Sequence, residues 1–401
     1  MKHEAAGDQE AGNAALRHPE GWLSDGDGRP LSSGRPSRRH RLKRSVEVFP
    51  ASDGSIHLIQ EGLGRHFRVD EPGPEDRAVL ELLQRRALSA DELAAELEAR
   101  GLSPDTLETS LSELEGIALL EISTGGETPL SPERSERFDR QLIYLSDIGA
   151  SGASSEEIQA RLAEAEVVIL GCGGLGSWAA CGLACAGVGH LRLIDDDTVE
   201  LSNLNRQLLF GEPDLGRPKV EAAAEALRRN DGQIEIATHQ RRVRSWTEIA
   251  ELIDGADFLV ATADWPPHEL ARWVNRASLE TGVPYISAGQ FPPTIRVGPL
   301  VVPGRTACLD CQETAIEGDY PLYDELARFR AEAESTASTL GAASGMIGSI
   351  ISMEAIHLLT GEIDPASLDR ALIMDLRTMS MDHEQVERRP DCACASKARA
   401  A

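Results

Sequence analysis

Asn203, Arg206 and Lys219 place one amide and two fixed cations on a short segment that follows the aspartates Asp195, Asp196 and Asp197. Donors of that kind meet the charge that builds on phosphate oxygens when a triphosphate is split. Upstream, Gly171, Gly173 and Gly176 have the G-x-G-x-x-G spacing, with Gly174 inside it. Glycine permits the tight turn and the close backbone approach, so a helix N-terminus can face a phosphate. Asp195 stands 19 residues beyond Gly176, where a carboxylate can hold ribose hydroxyls. Gln207 extends the same nucleotide-facing segment. The glycine spacing alone is shared with NAD enzymes, but hydride transfer has no use for two cations after the ribose carboxylate. A nicotinamide-dependent oxidoreductase stays as an alternative that a nucleotide-binding screen separates from ATP use.

A second set of side chains suits a metal. Cys308-Leu-Asp-Cys311 and Cys392-Ala-Cys394 offer two thiol pairs about 80 residues apart, enough for a tetrahedral Zn2+. The second pair is CxC, which leaves one place in the shell to Asp391 or unfilled. Cys172, Cys181 and Cys185 read as small core residues.

These side chains need a sheet to hold them. Val167–Leu170, Leu191–Ile194, Ile234–Thr238, Phe258–Thr262 and Tyr285–Ala288 are strand-like runs between helical stretches. That alternation predicts an α/β fold with a Rossmann-like, doubly wound, mostly parallel sheet. Asp264 then lies at the carboxyl edge of the sheet, where ligands collect. Ahead of it, residues 46–123 read as a small winged-helix-like module of three strands and three helices. VEVF, SIHLIQ and RHFRV alternate as strands, and Ile117–Ile122 returns as another. Helices are expected over Glu75–Gln84, Ala90–Ala99 and Pro104–Leu114, with Ser89 and Ser103 as N-caps. Asp91, Glu92, Glu96 and Glu98 make the helices acidic, which disfavours DNA. An exposed sheet edge can instead take a peptide by strand addition. A dimerisation or packing module is the plainer alternative. Residues 1–45 read as a disordered tail ending in a basic run, 124–136 as a linker, and 137–401 as the nucleotide-using domain with a C-terminal zinc staple.

The 401 residues suffice for two domains. Net charge is −26, and the first 45 residues hold 9 basic and 6 acidic side chains, so the rest is strongly acidic. That argues against nucleic acid as the main partner. No apolar run approaches bilayer-spanning length and no signal-peptide core is visible, so the expected setting is cytoplasmic, without membrane contact. Seven cysteines in such a chain suggest free thiols and a metal rather than disulfides.

GCGGLG, LIDDDTVELSNLNRQ and LGRPK, in this order and spacing, resemble the ThiF/MoeB/HesA family, bacterial relatives of ubiquitin-activating enzymes. The likeness covers about residues 137–394. It implies an ATP-dependent adenylyltransferase that activates a peptide or protein C-terminal carboxylate with Mg2+ and ATP, and releases pyrophosphate. Arg137-Phe-Asp-Arg140-Gln141 is similar to the family's RYxRQ motif, with Phe138 in place of tyrosine. By that resemblance Arg140 reaches across a homodimer interface to the phosphates. Asp264 is by resemblance the Mg2+ ligand, with Asp197 as an alternative acid near the metal. The family commonly has asparagine after that aspartate, where Trp265-Pro266-Pro267 stands here. Some relatives carry a nucleophilic cysteine before the GSxxxxEAI helix, here Gly348 to Ile356. The preceding stretch, Glu332 to Ser344, has serine and threonine but no cysteine. The chemistry then stops at the acyl-adenylate or passes to a nitrogen or oxygen nucleophile.

The N-terminal module resembles the leader-peptide clamp fused to ThiF-like enzymes that tailor ribosomal peptides, as in microcin-C-type biosynthesis. The first expectation is therefore adenylation of a ribosomal precursor peptide. The second is activation of a ubiquitin-like sulfur-carrier protein, and the third a non-catalytic scaffold that delivers a leader peptide to another enzyme.

Overall fold

A computed structural model describes residues 38–123, 129–149, 153–320, 322–323, 325–326, 329 and 338–396. Most of the segment expected to be a tail, residues 1–37, lies outside them. Its last residues do not behave as a tail. β1 (Arg39–Leu42) alternates half-exposed arginines with buried His40 and Leu42. The run looked like a solvated basic patch because its outward positions are arginine. Those arginines have partners: Arg39 pairs with Glu92 at 2.8 Å and Arg41 with Glu156 at 3.6 Å.

β2 (Glu47–Pro50), β3 (Ile56–Gln60) and β4 (Arg65–Val69) form the expected antiparallel sheet. After α1 (Pro74–Arg85) comes the short β5 (Leu88–Ser89), then α2 (Ala90–Ala99), α3 (Leu107–Gly116) and β6 (Leu120–Ser123). A second three-stranded sheet, ordered β5-β1-β6, is the element that the sequence hid. Ser89 caps α2 as expected, accepting from the Glu92 amide at 3.2 Å while Glu92 accepts from the Ser89 amide at 2.8 Å. Ser103 does not cap a helix. Among the described residues its hydroxyl accepts from the Asp105 amide alone, and α3 starts after Thr106.

Residues 129–136, expected as linker, include most of α4 (Pro132–Arg137), which begins at the Ser131 N-cap. α5 (Asp139–Ile148) and α6 (Ser155–Glu164) follow, and the N-terminal module bonds to them. The Arg44 amide donates to Ser146 Oγ at 3.2 Å, and Gln60 Nε2 donates to Asp147 at 3.2 Å. The Arg44 side chain pairs with Glu156.

The large sheet starts with β7 (Glu166–Leu170), whose Val167 to Leu170 are all buried. Next come α7 (Gly174–Cys185), β8 (His190–Ile194), α8 (Lys219–Asn230), β9 (Glu235–His239) and α9 (Trp246–Ile253). Then follow β10 (Phe258–Ala261), α10 (Glu269–Thr281), β11 (Tyr285–Phe291), β12 (Thr294–Val301) and α11 (Leu309–Asp319). The described chain finishes with α12 (Gly341–Thr360), β13 (Arg370–Asp375), β14 (Ser380–Gln385) and α13 (Ala393–Ser396). Strand order is β14-β13-β12-β11-β10-β7-β8-β9. The five strands from β11 to β9 are parallel, and β12 to β14 extend them antiparallel. This is the expected α/β class. The chain leaves β7 toward β8 on one side and returns as β10 on the other, so a crevice opens at their carboxyl ends.

α12 corrects one expectation. With 20 residues and mean hydropathy 1.4 it is long and apolar enough to cross a membrane by length and composition. It is instead packed on α7. A Cβ on Gly348 would lie 2.4 Å from Trp178 Cβ, and one on Gly182 2.4 Å from Ser352 Oγ, so glycine lets the helices approach. Its buried Glu354 accepts from the Ala366 and Ser367 amides at 3.0 and 2.7 Å.

Candidate active site

The glycine hairpin expected to cradle phosphate forms where β7 and β10 end. Gly171 has φ +96°, and a Cβ there would lie 2.5 Å from the Ala263 nitrogen. A Cβ on Gly176 would lie 1.9 Å from the Gly171 oxygen. Both positions demand glycine, and their closeness brings Ala263, with Asp264 next in sequence, against the hairpin. Thr262 Oγ1 secures the turn by donating to the Gly171 carbonyl at 2.8 Å. α7 opens at Gly174 without a side-chain cap, which leaves its first amides for an anion.

Asp195 accepts from the Cys172 amide at 2.7 Å and the Asp197 amide at 2.9 Å. Burial raises its pKa, opposed by the Lys219 charge and those two amides. Lys219 is buried, and its Nζ lies 2.7 Å from Asp197 Oδ2. Asp197 is thereby engaged by the lysine, and the expectation that it stands as an acid near a metal competes with that ion pair. Asn203 is buried, with Oδ1 accepting from the Glu200 amide at 3.0 Å. Arg206 donates to the Ser202 carbonyl at 2.7 Å, and its Cγ and Cδ lie 3.5 Å from a Cβ built on Gly174. Gln207 is 4% exposed, and its Oε1 has no partner among the described residues. Its Nε2 is 3.9 Å from a Cβ built on Gly173. The hairpin thus gathers Asp195, Arg206, Gln207 and, through Asp197, Lys219.

Asp264 is exposed and has no hydrogen bond or ion pair with the described residues. An oxygen donor so placed fits Mg2+, which favours carboxylate and water. Arg140, near the start of α5, has a side chain 92% exposed and only a loose contact at 3.8 Å with Asp139. The described residues of its own chain do not fix it.

Two further residues line the hairpin. Gln290 Nε2 donates to Ser344 Oγ at 2.7 Å and its Oε1 accepts from the Leu340 amide at 3.1 Å. Ser344 Oγ lies 3.1 Å from a Cβ built on Gly174. The pair ties the end of β11 to the start of α12. The expected strand stopped at Ala288, which left Gln290 unread; its amide at a carboxyl edge was the available signal.

Cys308, Cys311, Cys392 and Cys394 are all buried, with their sulfurs within 4.8 Å of one another. Cys308 and Cys392, and likewise Cys311 and Cys394, are 3.6 Å apart. A tetrahedron with Zn–S of about 2.3 Å has edges of roughly 3.8 Å, so the donor set fits Zn2+. The CxC pair supplies both thiols. Asp391 is exposed and paired with Arg389 at 2.9 Å, so it is not a fourth ligand. Of the three cysteines expected in the core, Cys172 is buried, Cys181 half-buried and Cys185 exposed, where Asn230 donates to it at 3.0 Å. Cys185 is the last residue of α7.

The ThiF family model matches residues 138–395. The adenylyltransferase and sulfurtransferase MOCS3 of Sus scrofa is 32% identical over 315 residues, which cover 78% of this chain and 64% of MOCS3. The chain thus spans less than two thirds of that relative. Molybdopterin-synthase adenylyltransferase of Escherichia coli K12 is 33% identical over 263 residues, 66% of this chain and 97% of that protein. Among solved structures, E. coli MccB with AMPCPP and MccA aligns with a TM-score of 0.67 at 24% identity, over 89% of this chain and 99% of MccB. That likeness carries the fold alone. With a match that spans well over half of its residues, the chain belongs to the ThiF family.

Proposed function

We propose that the protein is an ATP-dependent adenylyltransferase acting on the C-terminal carboxylate of a ribosomal precursor peptide. The observation that carries the nucleotide part is the buried Lys219 ammonium beside an uncapped glycine hairpin. A carboxylate is already a nucleophile at neutral pH, so attack on the α-phosphorus needs no general base. One P–O bond forms, the α–β bridge breaks, and pyrophosphate leaves. The cradle amides orient the phosphates, Asp195 holds the ribose, and Lys219, Arg206 and Asn203 meet the charge that develops. Mg2+ held at Asp264 would neutralise further charge on the phosphates, and Arg140 would add a cation from the other half of a homodimer. Zn2+ at the four cysteines would staple residues 392–394 to the start of α11. Mg2+, ATP and reduced thiols suit the cytoplasm.

The peptide part is supported by the N-terminal module, whose six strands and three helices precede the ThiF match, and by the alignment of MccB, solved with MccA, over 89% of this chain. An exposed edge strand there can hold a leader peptide by main-chain bonding. A ubiquitin-like sulfur carrier is the second reading, favoured by the 33% identity with a molybdopterin-synthase adenylyltransferase. Pyrophosphate exchange separates them. Exchange stimulated by a short precursor peptide, and not by a Gly-Gly-ended carrier, supports the first reading, and the reverse result refutes it.

A further inference from the structure

The exposed face of the β2-β3-β4 sheet carries a feature that nucleotide chemistry does not use. His57 on β3 faces Arg68 on β4, and His66 on β4 faces Ile59, so the two histidines sit diagonally across one strand pair. Their ring centroids are 4.9 Å apart and their planes 29° from parallel. His57 Nδ1 and His66 Nε2 are 2.6 Å apart. Two neutral imidazoles can share only one proton on that line, and two imidazolium ions would repel across it.

The rest of the arrangement orients one ring. Ser55 Oγ lies 3.2 Å from His57 Nε2 and donates to Asp53 Oδ1 at 2.6 Å. Asp53 also accepts from Arg68 Nη2 at 3.3 Å. A hydroxyl backed by a carboxylate on the far nitrogen is the support that metal-binding imidazoles use to fix ring orientation. It leaves Nδ1 of His57 as the nitrogen turned toward His66.

We propose that His57 and His66 form a two-imidazole chelate for a divalent transition-metal ion on this module, apart from the four-cysteine cluster. At M–N distances of about 2.0–2.1 Å, two cis nitrogens stand roughly 3 Å apart. The 4.9 Å between centroids is spanned end to end by the two rings and the 2.6 Å contact, so the nitrogens face each other; they must part by a few tenths of an ångström and both rings must tilt for their lone pairs to converge on an ion. His66 is exposed and His57 half-exposed, so an ion reaches the pair from solvent and water fills its other positions. Imidazole nitrogen selects Zn2+, Cu2+ or Ni2+ over Mg2+ or Ca2+. The bound ion would cross-link β3 to β4, on the sheet that the proposed peptide-docking module presents. The site stands on its own geometry and holds whether or not the substrate is a peptide.

The test is calorimetric titration of Ni2+ into the full zinc-replete chain. Wild type and Lys219→Ala should each take one Ni2+, and His57→Gln and His66→Gln should bind it at least about tenfold more weakly. Equal melting temperatures without Ni2+ would exclude unfolding as the cause. Paramagnetic broadening supplies a readout on the unaltered protein, because the His57 and His66 ring signals should fade before those of other histidines. Absence of Ni2+ uptake, or uptake unchanged in the doubly substituted chain as expected for binding at the cysteines, overturns the proposal.

Discussion

Lys219 and Asp197 form an ion pair of unequal halves: the lysine side chain is 7% exposed, the aspartate side chain 58%, and 2.7 Å separates the charges. The cation faces the cradle from inside the fold, and its counter-ion is the half that solvent and ligand can reach. A phosphate can thus share the ammonium without extracting it. Lys219→Ala should slow pyrophosphate exchange by roughly 10²–10³-fold, the usual cost of losing one preorganised donor. The orphaned Asp197 is hydrated, so the melting temperature should change little. Exchange at the wild-type rate would remove Lys219 from the mechanism.

The glycines of the hairpin divide by what a methyl group would meet. At Gly176 it would lie 1.9 Å from the Gly171 oxygen, whereas at Gly173 nothing but Gln207 Nε2 comes within 4 Å. Gly176→Ala should therefore destabilise the domain by about 1–3 kcal/mol or more, as overpacked cores do. Gly173→Ala should fold with an unchanged melting temperature and lose ATP affinity, because its methyl intrudes only on ligand space. Melting curves with and without ATP separate the two.

The cysteine cluster joins segments far apart in sequence, so its metal should contribute to folding. Chelation at equilibrium should release one Zn2+ per chain and lower the melting temperature. Cys394→Ser should do the same without chelator. Stoichiometric zinc in a Cys308→Ser, Cys394→Ser double variant that also carries His57→Gln would rule out this shell.

Much of the candidate site was legible because its residues are local in sequence. The glycine spacing, the aspartates and the Asn203 to Lys219 set lie within 50 residues and need only one strand–helix–strand unit to meet. The fold class was equally readable from the apolar runs of β7, β8 and β10. The hidden parts are those in which the sequence pattern is interrupted or borrowed. β1 alternates arginine with His40 and Leu42, a pattern that looks like a charged tail until β6 is placed beside it. β14 is exposed at every position, so no apolar alternation marks it; it exists because β13 supplies the hydrogen bonds. Gln290 and Ser344 lie 54 residues apart, and only the pairing of β11 with the start of α12 makes them neighbours.

Arg140 is 92% exposed and loosely placed, so its removal should not alter stability. If it completes the phosphate site of a second copy, Arg140→Ala alone and Lys219→Ala alone should both be nearly inactive. Mixed and re-equilibrated, they should recover roughly a quarter of the sites, because each mixed dimer keeps one cleft with both cations intact. A residue acting within its own chain would give no recovery on mixing.

Glu121 gives a pH signature to the joint between the N-terminal module and the α5–α6 pair. It is 4% exposed, Ser146 lies beside it, and neither carboxylate oxygen attains a hydrogen bond among the described residues. Burial raises its pKa, the nearby Glu156 charge adds to the rise, and Ser146, Arg41 and Arg44 offset part of it. Below the ordinary glutamate range both folded and unfolded chains hold the proton, and the site costs nothing. As pH rises from there to the raised value, the unfolded chain ionises first, so stability falls; above that value the loss is constant. Glu121→Gln removes the ionisation and keeps the shape. It should melt higher than wild type at about pH 8, with the gain shrinking toward about pH 5, where the unfolded carboxylate nears its own pKa. Comparing the two proteins at each pH cancels every other titrating group. A Gln variant less stable than wild type at the higher pH would mean that the arginines, rather than burial, dominate this carboxylate.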